Sequence, residues 1–192
     1  MRFSERVLAM QSSPVRRLLP YAEEARAKGK KIYPLNIGQP DIKTPPSFLK
    51  AIKDFSTDVI AYATSQGDNA LRDAMSAYYA GFDIPLKRED IIVTAGGSEA
   101  LLFAFMAICD PDDEVLIPEP FYANYNAFGG SVNVKVVPIT TKPEEGFHLP
   151  PRKEIEALIT PRTRGILVSN PGNPTGGFME EADIRAIADV VR

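Results

Sequence analysis

From about residue 90 onward, short apolar runs alternate with amphipathic segments along the chain. The apolar runs end at turn residues, as buried strands do, and lie at 91–95, 114–119, 132–139 and 165–169. The segments between them have helical spacing and lie at 99–109, 121–128, 151–159 and 180–192. This alternation predicts βαβ units, and therefore an α/β fold with a mostly parallel sheet and helices on both faces.

The first 90 residues predict mostly helices. These lie at 14–28, from Pro45-Pro46 to about Phe55, and at 69–80, with a short extended piece at 32–37. The later helix at 99–109 is apolar on nearly every side, so we expect it to be buried. We expect the Gly129-Gly130 pair to end the helix at 121–128.

The composition is that of an ordinary globular protein. The chain has 192 residues, 44% of them hydrophobic and 24% charged, and a formal net charge of −3. It has no dense cluster of Lys and Arg and no apolar run long enough to span a membrane. Its single cysteine, Cys109, excludes an intramolecular disulfide framework. We therefore expect a cytoplasmic protein that binds neither nucleic acid nor a membrane.

The turn Gly96-Gly97-Ser98 joins a predicted strand to a predicted helix. The first amides of a helix have no partners within it and lie at the positive end of the helix dipole. Such a turn can bind a phosphate group, and the Ser98 hydroxyl would add a donor. Taken alone, the turn is better explained as a plain connection with Ser98 as the helix N-cap.

The segment NPGNPTG, residues 170–176, follows the predicted strand at 165–169. Proline lacks the backbone donor that a strand needs, and glycine leaves the backbone free to turn. The segment therefore predicts a rigid loop at the carboxyl end of a buried strand. In open α/β sheets, ligands bind at that edge.

Several separated segments together resemble the class I/II aminotransferases, which are enzymes of fold type I that bind pyridoxal phosphate (PLP). Besides NPGNPTG, they are NIGQPD at 36–41, YATSQGDNALR at 62–72 and GGSEAL at 96–101. The resemblance covers almost the whole chain and is to the aspartate aminotransferase-like branch. It implies an N-terminal arm and small-domain segment at 1–44. It also implies the N-terminal part of an incomplete PLP-binding large domain at 45–192.

The resemblance implies a set of residues that bind PLP. Gly96, Gly97 and Ser98 correspond to the turn that holds the phosphate, and Tyr122 to the aromatic residue that stacks on the pyridine ring. Asn173 corresponds to the asparagine that donates to the phenolic oxygen, while Asn170 holds the shape of the loop. We also expect Asn173-Pro174 to be cis, with Glu119-Pro120 as the second candidate. Phe121 and Tyr125 are expected in the core.

Further residues are implied to serve the substrate and the partner subunit. Gly38 and Asn173 correspond to residues that contact the substrate, which would be an amino acid or a 2-oxo acid. Tyr62 corresponds to a tyrosine that reaches the PLP phosphate of the neighbouring subunit, so we expect a homodimer. No metal site is implied.

The lysine to which PLP becomes attached in this family is expected beyond residue 192. The ten lysines present lie in polar segments that we expect to be exposed, so we assign no catalytic residue. His148 is expected to be structural or exposed. The chain would then be an inactive N-terminal part of an aminotransferase, and we expect it to self-associate through uncovered apolar faces and an open sheet edge.

Three other functions remain open at this point. The same fold serves carbon–sulfur lyases and cyclopropane-forming synthases, which share these residues. An aminotransferase-like domain could also sense a ligand without catalysis. A doubly wound nucleotide-binding domain could use the Gly96 turn for phosphate, although the chain lacks G-x-G-x-x-G.

Overall fold

The structure, a computed structural model of the chain, describes residues 2–10 and 16–191. Contacts divide these residues into two compact units. One unit is Leu19–Ala95, and the other combines the described residues up to Leu18 with those from Gly96 onward. The second of these holds the sheet. The boundary near residue 44 that the resemblance implies stays a prediction.

The described residues form helices and a small sheet. The helices are α1 (Glu5–Ala9), α2 (Leu19–Ala27), α3 (Pro46–Asp54), α4 (Asn69–Ala80), α5 (Gly97–Ile108), α6 (Asn124–Ser131), α7 (Arg152–Glu156) and α8 (Glu181–Val190). The strands are β1 (Glu114–Glu119), β2 (Lys135–Thr140) and β3 (Thr163–Ile166). Short 3₁₀ turns lie at Arg16–Leu18, Arg88–Asp90 and Pro143–Glu145.

The sheet is parallel, which confirms the predicted fold class. Its order is β2–β1–β3, so β1 is central and pairs with a strand on each side. Glu114 lies opposite Lys135 in β2 and opposite Thr163 in β3. The ladder with β3 shifts register after Glu114, which leaves Arg164 as an extra residue in β3.

Helices cover both faces of the sheet, because β1 is apolar on both sides. Val115 and Ile117 lie on one face in a cluster with Phe105 of α5, and α6 packs against the same cluster. Leu116 lies on the other face with Ile139 and with Ile155 of α7. The first four residues of β1 are buried, so the core lies around this strand.

The amino end of β1 carries two buried carboxylates, and both are paired. Oδ2 of Asp113 accepts from Nε of Arg164 at 2.7 Å and from the Asp110 amide at 2.9 Å. These bonds hold the pKa of Asp113 below its usual value. Oε2 of Glu114 accepts from the Thr160 hydroxyl at 2.6 Å, and this bond is the main cause of its lowered pKa.

Most predicted helices and strands form, with shifted ends. The strand at 114–119 and the helix at 69–80 have the predicted bounds, and Asp68 caps the helix by accepting from the Leu71 amide. The prediction that Gly129-Gly130 would end α6 is wrong, because the helix continues to Ser131. A Cβ on Gly129 would lie 2.9 Å from Val134 O, so this glycine permits a close approach of α6 to the chain before β2.

The N-terminal helix at 14–28 is replaced by a 3₁₀ turn and α2, and its first two residues lie outside the described part of the chain. The piece at 32–37 forms no strand and turns at Leu35-Asn36. The Leu35 amide donates to Tyr33 O at 3.0 Å. Such local bonding replaces the neighbour that an extended strand requires.

Two further predictions are wrong for the same physical reason. No strand forms at 91–95, where the Val93 amide donates to Gln66 O in the turn before α4. Helix α5 is buried only at Phe105, while Phe103 and Met106 are exposed. A buried strand or helix needs a neighbour on each side, and the hydrophobic pattern does not reveal whether the described chain supplies it.

The unit Leu19–Ala95 is built on α4. Arg72 of this helix is buried, and its guanidinium donates to Arg88 O through Nε at 3.1 Å and through Nη2 at 2.6 Å. Asp73 pairs with the Arg88 side chain. These contacts fix α4 against the segment that leads to Ile91. None of the helices that the structure describes has the length and apolar character needed to cross a lipid bilayer.

The paired carboxylates predict a specific loss of stability in acid. Their pKa values are lower in the folded than in the unfolded chain, so their stabilisation is present above about pH 5 and is lost as the pH falls through about 4 and below. Asp113→Asn should lower the urea midpoint at neutral pH and flatten its decline in acid. Asp58→Asn, at an exposed position, is the control. Parallel pH profiles for wild type and Asp113→Asn would contradict this assignment.

Candidate functional site

The connections that leave β1 and β3 diverge at the carboxyl edge of the sheet. After β1 the chain enters α6, which packs on the face of Val115 and Ile117. After β3 it enters α8, whose Val190 packs on the face of Leu116. Adjacent parallel strands whose connections leave to opposite faces open a crevice between them, and ligands bind in such crevices.

A small cleft occupies this crevice and has a volume of about 40 Å³. Residues from the end of β1 and from the chain after β3 line it, together with the segment after β2. They include Glu119, Phe121, Tyr125, His148, Leu167, Asn173, Phe178, Met179 and Asp183. The cleft is large enough to hold ordered water, and its open side faces solvent.

The loop after β3 is closed by its own hydrogen bonds. The Gly172 amide donates to Gly177 O at 2.7 Å, and the Gly176 amide donates to Gly172 O at 2.8 Å. The Asn170 side chain bonds the main chain of Met179, which confirms its predicted role in holding the loop. Asn173 lies at the tip of this loop, is exposed and lines the cleft.

The loop contains two cis peptide bonds, Asn170-Pro171 and Asn173-Pro174. Asn173-Pro174 was predicted to be cis, whereas Asn170-Pro171 was not. Outside the loop, Glu119-Pro120 at the end of β1 is also cis, as the second candidate predicted.

The Gly96-Gly97-Ser98 turn begins α5 and is exposed. Gly96 has φ 94° and ψ 173°, a backbone conformation that residues with a Cβ atom rarely adopt. A Cβ on Gly96 or Gly97 would have nothing within 4 Å, so there is open space beside the backbone of this turn. The turn is not part of the cleft lining.

The direction of α5 points this turn towards the edge that carries the cleft. The helix is about 18 Å long and β1 about 20 Å, so each spans the sheet once. The C-terminal end of α5 precedes the amino end of β1, and Phe105 packs on β1. The N-terminus of α5 is therefore directed towards the carboxyl edge.

The aromatic residues after β1 have separate surroundings. Phe121 and Tyr125 pack against the core cluster, which confirms their predicted place. Tyr122 is 37% exposed, meets the Tyr125 ring edge-on at 5.6 Å, and its hydroxyl accepts from Asn124 Nδ2 at 2.6 Å. Tyr122 does not line the cleft, although its neighbour in sequence, Phe121, does. The ring of Tyr122 is at the surface.

The two remaining candidate residues belong to the other unit. Tyr62 is fully exposed, and Gly38 is exposed with nothing within 4 Å of where its Cβ would be. Both remain available to a ligand or to another chain. All ten lysines are exposed, as predicted, and none lines the cleft.

Sequence reasoning missed part of the cleft lining. Phe147 and His148 come from the segment after β2, and Asp183 comes from the first turn of α8. His148 is exposed, as predicted, but also lies at the cleft. The signal that could have found it is the parallel sheet, since the carboxyl ends of all its strands share one edge.

The turn before α5 generates a test with an internal control. Gly96→Ala should lower the free energy of unfolding by about 1–3 kcal/mol, because alanine is strained at this φ and ψ. Gly97→Ala, at the first helical position and equally open, should remain close to wild type or gain slightly. Equal urea midpoints for the two variants would contradict the positive φ at Gly96.

Three comparisons agree on the family. The model of "Aminotransferase class I and II" matches residues 30–192. The chain is 35% identical over 192 residues to a probable aspartate/prephenate aminotransferase of Thermus aquaticus, covering 97% of this chain and 49% of that protein. It thus spans about half the length of the curated relatives it matches.

Solved structures have the same fold. A single mutant of Thermus thermophilus aspartate aminotransferase superposes with a TM-score of 0.86 at 34% identity, covering 100% of this chain and 50% of that one. For alanine aminotransferase from Pyrococcus furiosus the TM-score is 0.88 at 32% identity, covering 99% and 49%. With the N-terminus of α5 directed towards the sheet edge that carries the asparagine loop, these matches show that the chain belongs to the class I and II aminotransferases.

Proposed function

We propose that this chain supplies part of the PLP site of an aminotransferase that moves an amino group between an amino acid and a 2-oxo acid. The observation that carries the proposal is the placement of Asn173 at the cleft where the connections after β1 and β3 diverge. Enzymes of this family use PLP. The curated relatives are named as aminotransferases, which supports this function over the lyase, synthase and sensing alternatives.

The residues present fit the phosphate end of PLP. Open space lies where a Cβ on Gly96 or Gly97 would stand, so a phosphate can approach the backbone closely. The N-terminus of the twelve-residue α5 favours a negative charge, and the Ser98 hydroxyl can donate to it. We therefore assign the phosphate to the amides of Gly97 and Ser98 and to the Ser98 hydroxyl.

The residues also fit the ring. Tyr122 presents an uncharged aromatic surface at the same edge of the sheet, and an aromatic ring packs on the face of a pyridine. The Asn173 amide can donate to the phenolic oxygen without adding a net charge. When bound, PLP supplies an electron sink for the electron pair at the amino acid's Cα.

The chain's own residues bind and orient in this proposal. Ser98 and the α5 amides fix one end of the cofactor, Tyr122 fixes the plane of its ring, and Asn173 holds a proton towards the phenolic oxygen. Asn173 is also assigned to the substrate. The resemblance assigns Gly38 to the substrate carboxylate, and its exposure fits that role. None of the ten exposed lysines is assigned to proton transfer, because none lies at the cleft.

The substrate class is a proposal drawn from relatives. Their names refer to aspartate and prephenate, to asparagine and an oxo acid, and to arginine and pyruvate. Aspartate stands in the names of several of these relatives, so we propose aspartate as the first amino donor to test. We further propose a cytoplasmic enzyme with an arm and small-domain segment at 1–44 and a PLP-binding large domain from 45 onward.

The activity test uses the complete protein that the gene encodes. With PLP, aspartate and 2-oxoglutarate it should form glutamate, and Ser98→Ala should bind PLP about tenfold more weakly, as expected for losing a hydrogen bond to a charged group. Ser131→Ala, at the end of α6, is the control. Absence of PLP binding, or elimination products in place of amino-group transfer, would overturn the proposed function.

We propose that the complete enzyme is a homodimer in which Tyr62 reaches the partner's phosphate site. The full exposure of Tyr62 supports this role, since its hydroxyl is available to another chain. Light scattering should give twice the monomer mass, and Tyr62→Phe should weaken PLP binding without changing that mass.

Tyr21→Phe, at an exposed position of α2, is the control for this experiment. A monomer that binds PLP equally well with and without the Tyr62 hydroxyl would contradict the proposal.

The 192-residue chain alone should self-associate, because large apolar side chains such as Leu35, Ile60 and Met106 are exposed. A monodisperse monomer in light scattering would refute that expectation.

A further inference from the structure

The loop between Asn170 and Met179 is closed twice, one closure inside the other. In the outer closure Oδ1 of Asn170 accepts from the Met179 amide at 3.0 Å, and Nδ2 donates to Met179 O at 3.3 Å. In the inner closure the Gly172 amide donates to Gly177 O at 2.7 Å. Both closures surround the tip that carries Asn173.

The outer closure depends on the chemistry of a primary amide. One planar group must accept from an N–H and donate to a C=O of the same residue, and Asn offers both atoms in the required plane. An aspartate in this position could still accept from the Met179 amide, but it would set a negative charge against Met179 O. An alanine would lose both bonds.

No hydrogen bond to a described residue holds the Asn173 side chain in place, and its amide is exposed at the cleft. The loop backbone therefore determines from which point this side chain can reach into the cleft. Thr175 supports the inner closure by accepting from the Gly177 amide at 3.2 Å, but only Asn170 ties the two ends of the loop across it.

We propose that Asn170 is a positioning residue that sets the Asn173 amide for the phenolic oxygen of PLP. The inference rests on the proposed function, and it assigns to Asn170 a role beyond holding the loop together. The two hydrogen bonds from Asn170 to Met179 fix the separation of the loop ends, so the backbone that carries Asn173 is placed before the cofactor arrives. A loop that is preorganised in this way does not have to be ordered at the moment of binding.

The first experiment examines the closure without cofactor. In the complete PLP-free protein, Asn170→Ala should raise hydrogen exchange about tenfold at the amides of Gly172, Gly176 and Gly177, because their closure opens more often. Asn170→Asp should raise it less. Asn126→Ala, at an exposed position of α6, should leave it unchanged. Unchanged exchange in Asn170→Ala, at an unchanged global unfolding midpoint, would overturn the proposal.

The second experiment is a double-mutant cycle on PLP affinity and on the absorbance maximum of the bound cofactor. Asn170→Ala and Asn173→Ala should each weaken binding about tenfold, and the double variant should be no weaker than Asn173→Ala alone. Additive effects would show that Asn170 acts independently of Asn173 and would overturn the positioning role. A wild-type protein that binds no PLP would overturn the proposed function, and the positioning role with it, whereas the exchange result would still describe the closure.

Discussion

The pairing of β1 with a strand on each side is the interaction on which the rest of the sheet-containing unit depends. Leu116 and Ile117 are almost completely buried, and they face opposite sides of the sheet. Each side chain removed from water in this way contributes about 1.5–3 kcal/mol. Because both faces are apolar, helices must cover both, and the chain has to leave β1 and β3 in opposite directions. The crevice at the carboxyl edge is a geometric result of that requirement.

The two ends of β1 serve different purposes. At the amino end, Asp113 and Glu114 are buried and each is satisfied by a cation and a neutral donor. Such pairing offsets the cost of taking a charge out of water. At the carboxyl end, the loops carry exposed amides, hydroxyls and aromatic rings. The strand thus holds a structural charge network at one end and a binding edge at the other.

The sequence predicted what depends on local pattern. The bounds of β1 and α4 follow from an apolar run between turn residues and from the Asp68 cap. The NPGNPTG segment predicted a loop at a strand end, and Asn173 lies there. What depends on distant partners was not predictable. The order β2–β1–β3 joins segments far apart in the chain, so the parallel sheet indicates the edge that His148 shares but not that the segment after β2 reaches this cleft. The apolar run at 91–95 does not reveal that it has no strand to pair with among the described residues. Gly129 does not reveal that it permits α6 to approach the chain before β2, rather than ending the helix.

In the proposed site, the turn before α5, Tyr122 and Asn173 together bind PLP at the carboxyl edge of the sheet. A crystal structure of the complete protein with PLP would test this arrangement. We expect the phosphate about 3 Å from the amides of Gly97 and Ser98, the ring against Tyr122, and Asn173 Nδ2 about 3 Å from the phenolic oxygen. A cofactor bound elsewhere, or bound at this edge with its phosphate away from the N-terminus of α5, would contradict it.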